Sequence, residues 1–127
     1  MDLLLDTHVF IWWTAVDTRL AEVARAAIAD PANRVIVSAA TVWEISIKRS
    51  TRKLDFPDDI MRVLANTGFK TLDITPQHAA VAGALPMHHF DPFDRMLIAQ
   101  ARIEGLVLAT QDRQLSAYGV PVLGVPV

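Results

Sequence analysis

Four acidic residues stand at positions from which a fold could gather them for chemistry. Asp6 closes the apolar run "DLLL" (2–5). Glu44 lies six residues beyond Ser38, in a helical segment that follows the β-branched run "RVIVS". Asp94 heads the helical segment "DRMLIAQARIEG", and Asp112 lies two residues past "VLAT", which ends in Thr110. Carboxylates sharing one pocket repel, so their pKa values rise unless a cation neutralises them. Hard oxygen donors of this kind suit Mg²⁺ or Mn²⁺. A cation so held can position and activate a water and stabilise the charge that builds on a phosphate oxygen. The acids therefore point to metal-dependent phosphodiester chemistry.

The segment "HFDPFDRMLIAQA" (89–101) carries two aspartates three apart. Asp91 precedes Pro92, which suits the first position of a helix, so Asp91 reads as the N-cap. With Asp94 at zero on a wheel of about 100° per residue, Leu97, Ile98 and Ala101 fall within roughly 60° of it. Asp94 therefore lies on the inward stripe and is the aspartate expected in the site.

The elements that must position these residues alternate along the chain. Strands are expected at 2–5, 34–38, 70–74, 106–110 and 120–125. Helices are expected at 9–16, 19–30, 39–50, 56–68, 76–85 and 94–105, with one or two helical turns from Asp112. Ser38, Pro57 with its following acids, Thr75–Pro76 and Asp91–Pro92 are start signals, and Gly68 and Gly105 are stops. Alternation of this kind implies a single α/β domain over 1–127, with a mostly parallel sheet of about five strands and helices on both faces. Ligands of such sheets bind outside the carboxyl ends of the strands, where Asp6 and Asp112 fall. Asp94 reaches that edge only if its helix begins there. On the helix 39–50, Ala39, Ala40, Trp43 and Ile47 are expected to form the buried stripe, with Glu44 at its flank.

The chain has 127 residues, 52% of them hydrophobic and 20% charged, which suits one domain with a real core. The absence of cysteine excludes disulfides and thiolate metal sites and fits a reducing, cytoplasmic setting. "MDLLLDTH" lacks the basic region of a signal peptide, and no apolar run reaches the roughly 20 residues of a membrane helix. A net charge of −2 argues against strong nonspecific binding of long nucleic acid, but not against a nuclease whose acids lower the total.

The motifs "LLLDTHVFIWW", "SAATVWEISIK", "HHFDPFDRMLIAQA" and "LATQD" resemble, in order and over nearly the whole chain, the PIN-domain family, in particular the VapC-type ribonuclease toxins of toxin–antitoxin pairs. The resemblance implies a three-layer α/β/α sandwich and an endoribonuclease that uses Mg²⁺ or Mn²⁺. Carried over by motif, the acids of the family's site fall on Asp6, Glu44, Asp94 and Asp112, and the hydroxyls beside them on Thr7 and Thr110. The resemblance also implies an RNA substrate, a homodimer and a cognate antitoxin that blocks the site.

Taken singly, these residues have plainer readings. Asp6 and Asp112 each suit a helix N-cap. Glu44 suits a solvated acid paired at i+4 with Lys48. Asp91 is a cap or a supporting residue, and Arg95, about 100° from Asp94, either flanks the pocket or faces solvent. His88 and His89 form a loop pair with no third ligand at metal spacing and read as exposed, with substrate contact as the lesser alternative. His8 reads as a supporting or core residue. Trp12, Trp13 and Trp43 read as core or a dimer face rather than base-stacking platforms. "KRSTRK" (48–53) gathers four of the twelve basic residues, and is equally a solvated helix end or a phosphate-contacting patch beside Glu44.

Other small α/β enzymes fit less well. A phosphoryl-accepting signalling domain wants adjacent acids after strand one and a late lysine, yet Asp6 stands alone and no lysine follows Lys70. A haloacid-type phosphatase wants an aspartate at position 8, which is His8. A noncatalytic module whose acidic pocket binds a basic partner segment stays open.

Overall fold

The computed structural model describes residues 1–56 and 59–126; the helix start expected at Pro57, with Asp58, lies outside the described residues. Five strands, β1 (Asp2–Leu5), β2 (Arg34–Ser38), β3 (Lys70–Leu72), β4 (Val107–Ala109) and β5 (Val122–Leu123), form one sheet in the order β3-β2-β1-β4-β5. Every pairing is parallel. Parallel neighbours need crossovers. Helices α1 (Thr7–Thr14), α2 (Glu22–Ala29), α3 (Ala39–Ser50), α4 (Ile60–Thr67), α5 (Pro76–Ala84) and α6 (Pro92–Glu104) supply them, and a 3-10 helix (Arg113–Tyr118) leads into β5. No described helix is long and apolar enough to cross a membrane.

The two-residue period of the strands divides the core. Leu3, Leu5, Val35, Val37 and Ala109 face one side, with Val9 and Phe10 of α1, Ala24 and Ile28 of α2 and Leu64 of α4. Leu4, Ile36 and Leu108 face the other, with Leu97, Ile98 and Ala101 of α6 and Leu115 and Tyr118 of the 3-10 helix. The result is the expected α/β/α sandwich. The chain leaves β1 toward β2 but later returns to the opposite side for β4, so the crevice between the ends of β1 and β4 is the switch point of the sheet.

Local polar contacts move several boundaries from their expected places. Helix α1 begins at Thr7 because the Asp6 side chain caps it. Helix α2 begins at Glu22, later than expected, because Asp17 holds a turn by accepting from the Arg19 backbone N–H at 2.8 Å. Strand β3 stops at Leu72, short of the reciprocal cap in which Thr75 and His78 bond each other's backbone N–H. Strand β5 gives way to Gly124 at φ 103°, where an added Cβ would lie 3.0 Å from the Thr110 carbonyl oxygen.

The expected stripe on α3 is corrected. Trp43 is 58% exposed and Ile47 38%, while Ala40, Thr41, Glu44 and Ile45 are buried. Helix α3 packs on α1 and α6 as well as on β2, and these neighbours turn Thr41 and Glu44 inward. Trp43 instead meets Phe93 edge-on, with ring centroids 5.1 Å apart.

Arg95 is neither a pocket-flanking nor a solvent-facing residue. It is buried, and its guanidinium donates to the carbonyl oxygens of Ala82, Leu85, Pro86 and His89 at 2.8–3.2 Å. Tyr118 donates its hydroxyl to the Pro86 carbonyl at 3.0 Å. The turn from α5 into α6 is therefore pinned from inside through carbonyls that no helix or strand satisfies. Substituting Arg95→Met removes the donors and leaves buried acceptors unpaired. We expect a loss of about 3 kcal/mol in urea denaturation and faster amide exchange over 86–90; an unchanged midpoint would refute this account of the turn.

Candidate active site

Asp6 sits at the junction of β1 and α1, where a strand of leucines must end and an acceptor must cap the helix. Its backbone N–H continues the sheet by donating to the Ala109 carbonyl at 2.9 Å. Its Oδ1 accepts from the Val9 backbone N–H at 2.8 Å, and its Oδ2 accepts from the Thr110 hydroxyl at 2.5 Å. Thr110 follows β4, and its Oγ1 also accepts from the Asp112 backbone N–H at 3.1 Å. Asp112 in turn caps the 3-10 helix through the Gln114 backbone N–H at 2.9 Å. The plain cap readings of Asp6 and Asp112 thus hold together with their position at the switch point.

Glu44 comes to this edge from α3. It is 3% exposed, so it is not the solvated acid of the plain reading. Thr7 donates its hydroxyl to Glu44 Oε1 at 2.6 Å and lies 3.3 Å from the Thr41 hydroxyl. Lys48 forms an ion pair with Glu44 Oε2, as the i+4 spacing suggests. Thr7 therefore serves Glu44 rather than its neighbour Asp6, while Thr110 serves Asp6.

Asp94 arrives from the start of α6, which does lie at the carboxyl edge. Asp91 caps the helix by accepting from the backbone N–H groups of Phe93 and Asp94 at 2.8 and 3.1 Å. That cap fixes the first turn and sends the Asp94 side chain inward. His89 donates from Nε2 to Asp94 Oδ2 at 2.8 Å, and both side chains are about one-fifth exposed. Ligand-capable atoms of His89, Asp94 and Asp112 all lie within 4.8 Å of one another. Asp6 and Glu44 do not join that tighter group, but their charges reach it.

Electrostatics tie the set together. Burial pushes the Asp6 carboxyl up to about 6, and the nearby charges of Asp112 and Glu44 add to the rise, against the bonds from Thr110 and Val9. Burial likewise pushes Asp94 to about 6, with Asp91, Asp6 and Glu44 adding and His89 opposing. Among the described residues, no lysine or arginine forms an ion pair with either carboxyl. The oxygen donors and their uncompensated charge fit a hard divalent ion.

The fold brings together all four acids singled out from the sequence, and it adds His89, which sequence reading passed over as an exposed loop residue. The signal was positional. His89 is two residues before the N-cap, and the cap turn folds the chain back so that its ring meets the first turn of the helix. His88 packs against Tyr118 instead, with ring centroids 5.2 Å apart. Trp12 and Trp13 are half-buried against the α1 side of the core.

A family profile described as PIN domain matches residues 3–121. The chain is 34% identical to Ribonuclease VapC22 of Mycobacterium tuberculosis over 121 residues, which cover 93% of this chain and 92% of the relative. Its fold is similar to DNA-bound VapBC from Salmonella typhimurium, with TM-score 0.67 and 20% identity over 96% of each chain. It is also similar to VapBC-1 from nontypeable Haemophilus influenzae, with TM-score 0.67 and 19% identity over 96% of each chain. With the profile, the relative and the fold in agreement, the chain belongs to the PIN-domain family, among its VapC-type members.

Proposed function

We propose that this protein is a Mg²⁺- or Mn²⁺-dependent endoribonuclease and the toxin of a toxin–antitoxin pair, built as a single PIN-like domain over 1–127. The observation that carries the chemistry is the pair of inward carboxyls, Asp6 and Asp94. They come from opposite ends of the chain and each is raised to about 6 by burial and by its acidic neighbours. Asp6, Glu44, Asp94 and Asp112 would hold the cation. When bound, it supplies a Lewis acid for a phosphate oxygen and lowers the pKa of a water.

The chain's own residues orient this set. Thr110 and the Val9 N–H hold Asp6, Thr7 and Lys48 hold Glu44, and the Asp91 cap aims Asp94. The reaction is hydrolysis: a water oxygen attacks phosphorus, the bond from phosphorus to the departing ribose oxygen breaks, and that oxygen takes up a proton. Kinship with Ribonuclease VapC22 supports RNA as substrate. The VapBC neighbours support a cognate antitoxin as partner. The homodimer rests on the family resemblance, and the cytoplasmic setting on the absence of cysteine.

Asp6→Asn and Asp94→Asn should each lower metal-dependent RNA cleavage by roughly 100-fold or more while leaving cooperative unfolding intact. Asp91→Asn should keep most of the activity, because Asn also caps. Purified protein assayed on RNA with Mg²⁺, Mn²⁺ or EDTA measures this. Equal damage from Asp91→Asn and Asp94→Asn would refute the assignment. Absence of cleavage with either metal would favour the noncatalytic module.

Stability should carry the same signature. A carboxyl raised in the fold contributes stability that is full below its unfolded pKa and lost as pH rises through the folded value. For Asp6 and Asp94 that window runs from the ordinary 3.8 to about 6. Each should then cost on the order of 3 kcal/mol above the window when no cation is present. The Tm in EDTA should therefore fall as pH rises from about 3.8 to about 6 and level off above that, and saturating Mg²⁺ should remove most of the fall. A flat profile in EDTA would count against an uncompensated site.

A further inference from the structure

Glu44 and Lys48 stand apart from the rest of the acidic edge. Both Glu44 oxygens are engaged, one by Thr7 and one by Lys48. Lys48 spends only one direction on that bond. Among the described residues, Glu44 is the one hydrogen-bond partner of its ammonium, so two of its three donors are left over.

A lysine with a 35% exposed side chain is free to carry its charge out into water, as lysines on apolar surfaces do. This one turns back along its helix to the buried Glu44 instead, and the charges of Asp91 and Asp94 act on it as well. Pairing with the buried Glu44 holds the ammonium in place, because that carboxylate left unpaired would be costly, but it occupies only one of the three donors.

An RNA strand offers what the two spare donors lack. Its phosphates must approach a pocket lined by carboxylates, and a fixed ammonium at the pocket mouth offsets the repulsion. We propose that Lys48 is a substrate-contacting residue of this site, its ammonium held by Glu44 over the acidic pocket to bind a non-bridging oxygen of an RNA backbone phosphate. Glu44 and Thr7 position that ammonium. The inference rests on the ribonuclease reading above.

The test uses fluorescence anisotropy of a labelled single-stranded RNA oligonucleotide and of bulk transfer RNA, with Mg²⁺ present. The parent is the cleavage-impaired Asp94→Asn protein, compared with the same protein carrying Lys48→Met or Lys48→Arg over a series of KCl concentrations. Lys48→Met should weaken binding about tenfold at low salt. It should also reduce the slope of log K against log salt by about 0.7 to 1, the value of one lost phosphate contact. Lys48→Arg should keep the slope. Mn²⁺ titration of the Lys48→Met protein with native Asp94 reports separately on the released Glu44, and the fall in salt slope should appear whether or not metal affinity changes.

An unchanged salt slope in Lys48→Met, with the parent binding RNA, would overturn the assignment of Lys48 alone. Tighter Mn²⁺ binding with an unchanged slope would make Lys48 a stand-in for the cation and would overturn it too. A parent that binds neither RNA would overturn the ribonuclease reading and this inference with it.

Discussion

Carboxylates at the carboxyl edge of this sheet repel one another, and the surrounding protein leaves little water to screen them. The fold holds them together by giving several of the acids at this edge a structural duty at the same time. Asp6 ends a strand and caps a helix, Asp112 caps the 3-10 helix, and Asp91 caps α6 so that Asp94 is aimed inward. A cap contributes about 1 kcal/mol, which is small beside the cost of crowding the charges. The sheet and its two cores must supply the rest. That is why the acids sit on rigid junctions of strand and helix rather than on free loops.

The compensation is uneven, and the unevenness divides the pocket. Glu44 has an internal cation and a hydroxyl donor. Asp6 and Asp94 have hydrogen bonds but, among the described residues, no ion pair with a lysine or arginine, and burial prevails over those bonds in both. The edge therefore presents one side already neutralised by the protein and one side where negative charge is left over. Helix α6 carries the Asp94 half of the second side. It is held by Gly105 in the left-handed conformation at one end and by the Asp91 cap and the Arg95 guanidinium at the other.

Much of this arrangement was legible in residue patterns. The β-branched and leucine runs gave the five strands, the Pro and Gly signals gave the starts of α5 and α6 and the ends of α4 and α6, and the alternation gave a parallel sheet. Asp91 as cap and Asp94 as inward residue followed from a three-residue offset on one helix, which is local geometry. Where reading failed, long-range packing had decided. Trp43 looked buried by hydropathy but is displaced outward because α1 and α6 claim the Thr41–Glu44 face of α3. Arg95 looked like a surface or pocket charge, but its partners are carbonyls of the preceding turn, and nothing in its own helix announces them.

The amino-acid sequence by itself determined the fold class and the places of the four candidate acids, at strand ends and in the first two turns of helices, because these depend on periodicity and capping within a few residues. Tertiary structure alone decided which hydroxyl serves which acid. It exchanged the obvious neighbours, giving Thr110 to Asp6 across the β1–β4 crevice and Thr7 to Glu44 across the α1–α3 contact. It also brought His89 to Asp94 and the charges of Asp91 and Asp94 to bear on Lys48. Those pairings depend on the distance and direction between elements far apart in the chain, and a hydrogen bond is decided by differences of a few tenths of an ångström that no local pattern encodes.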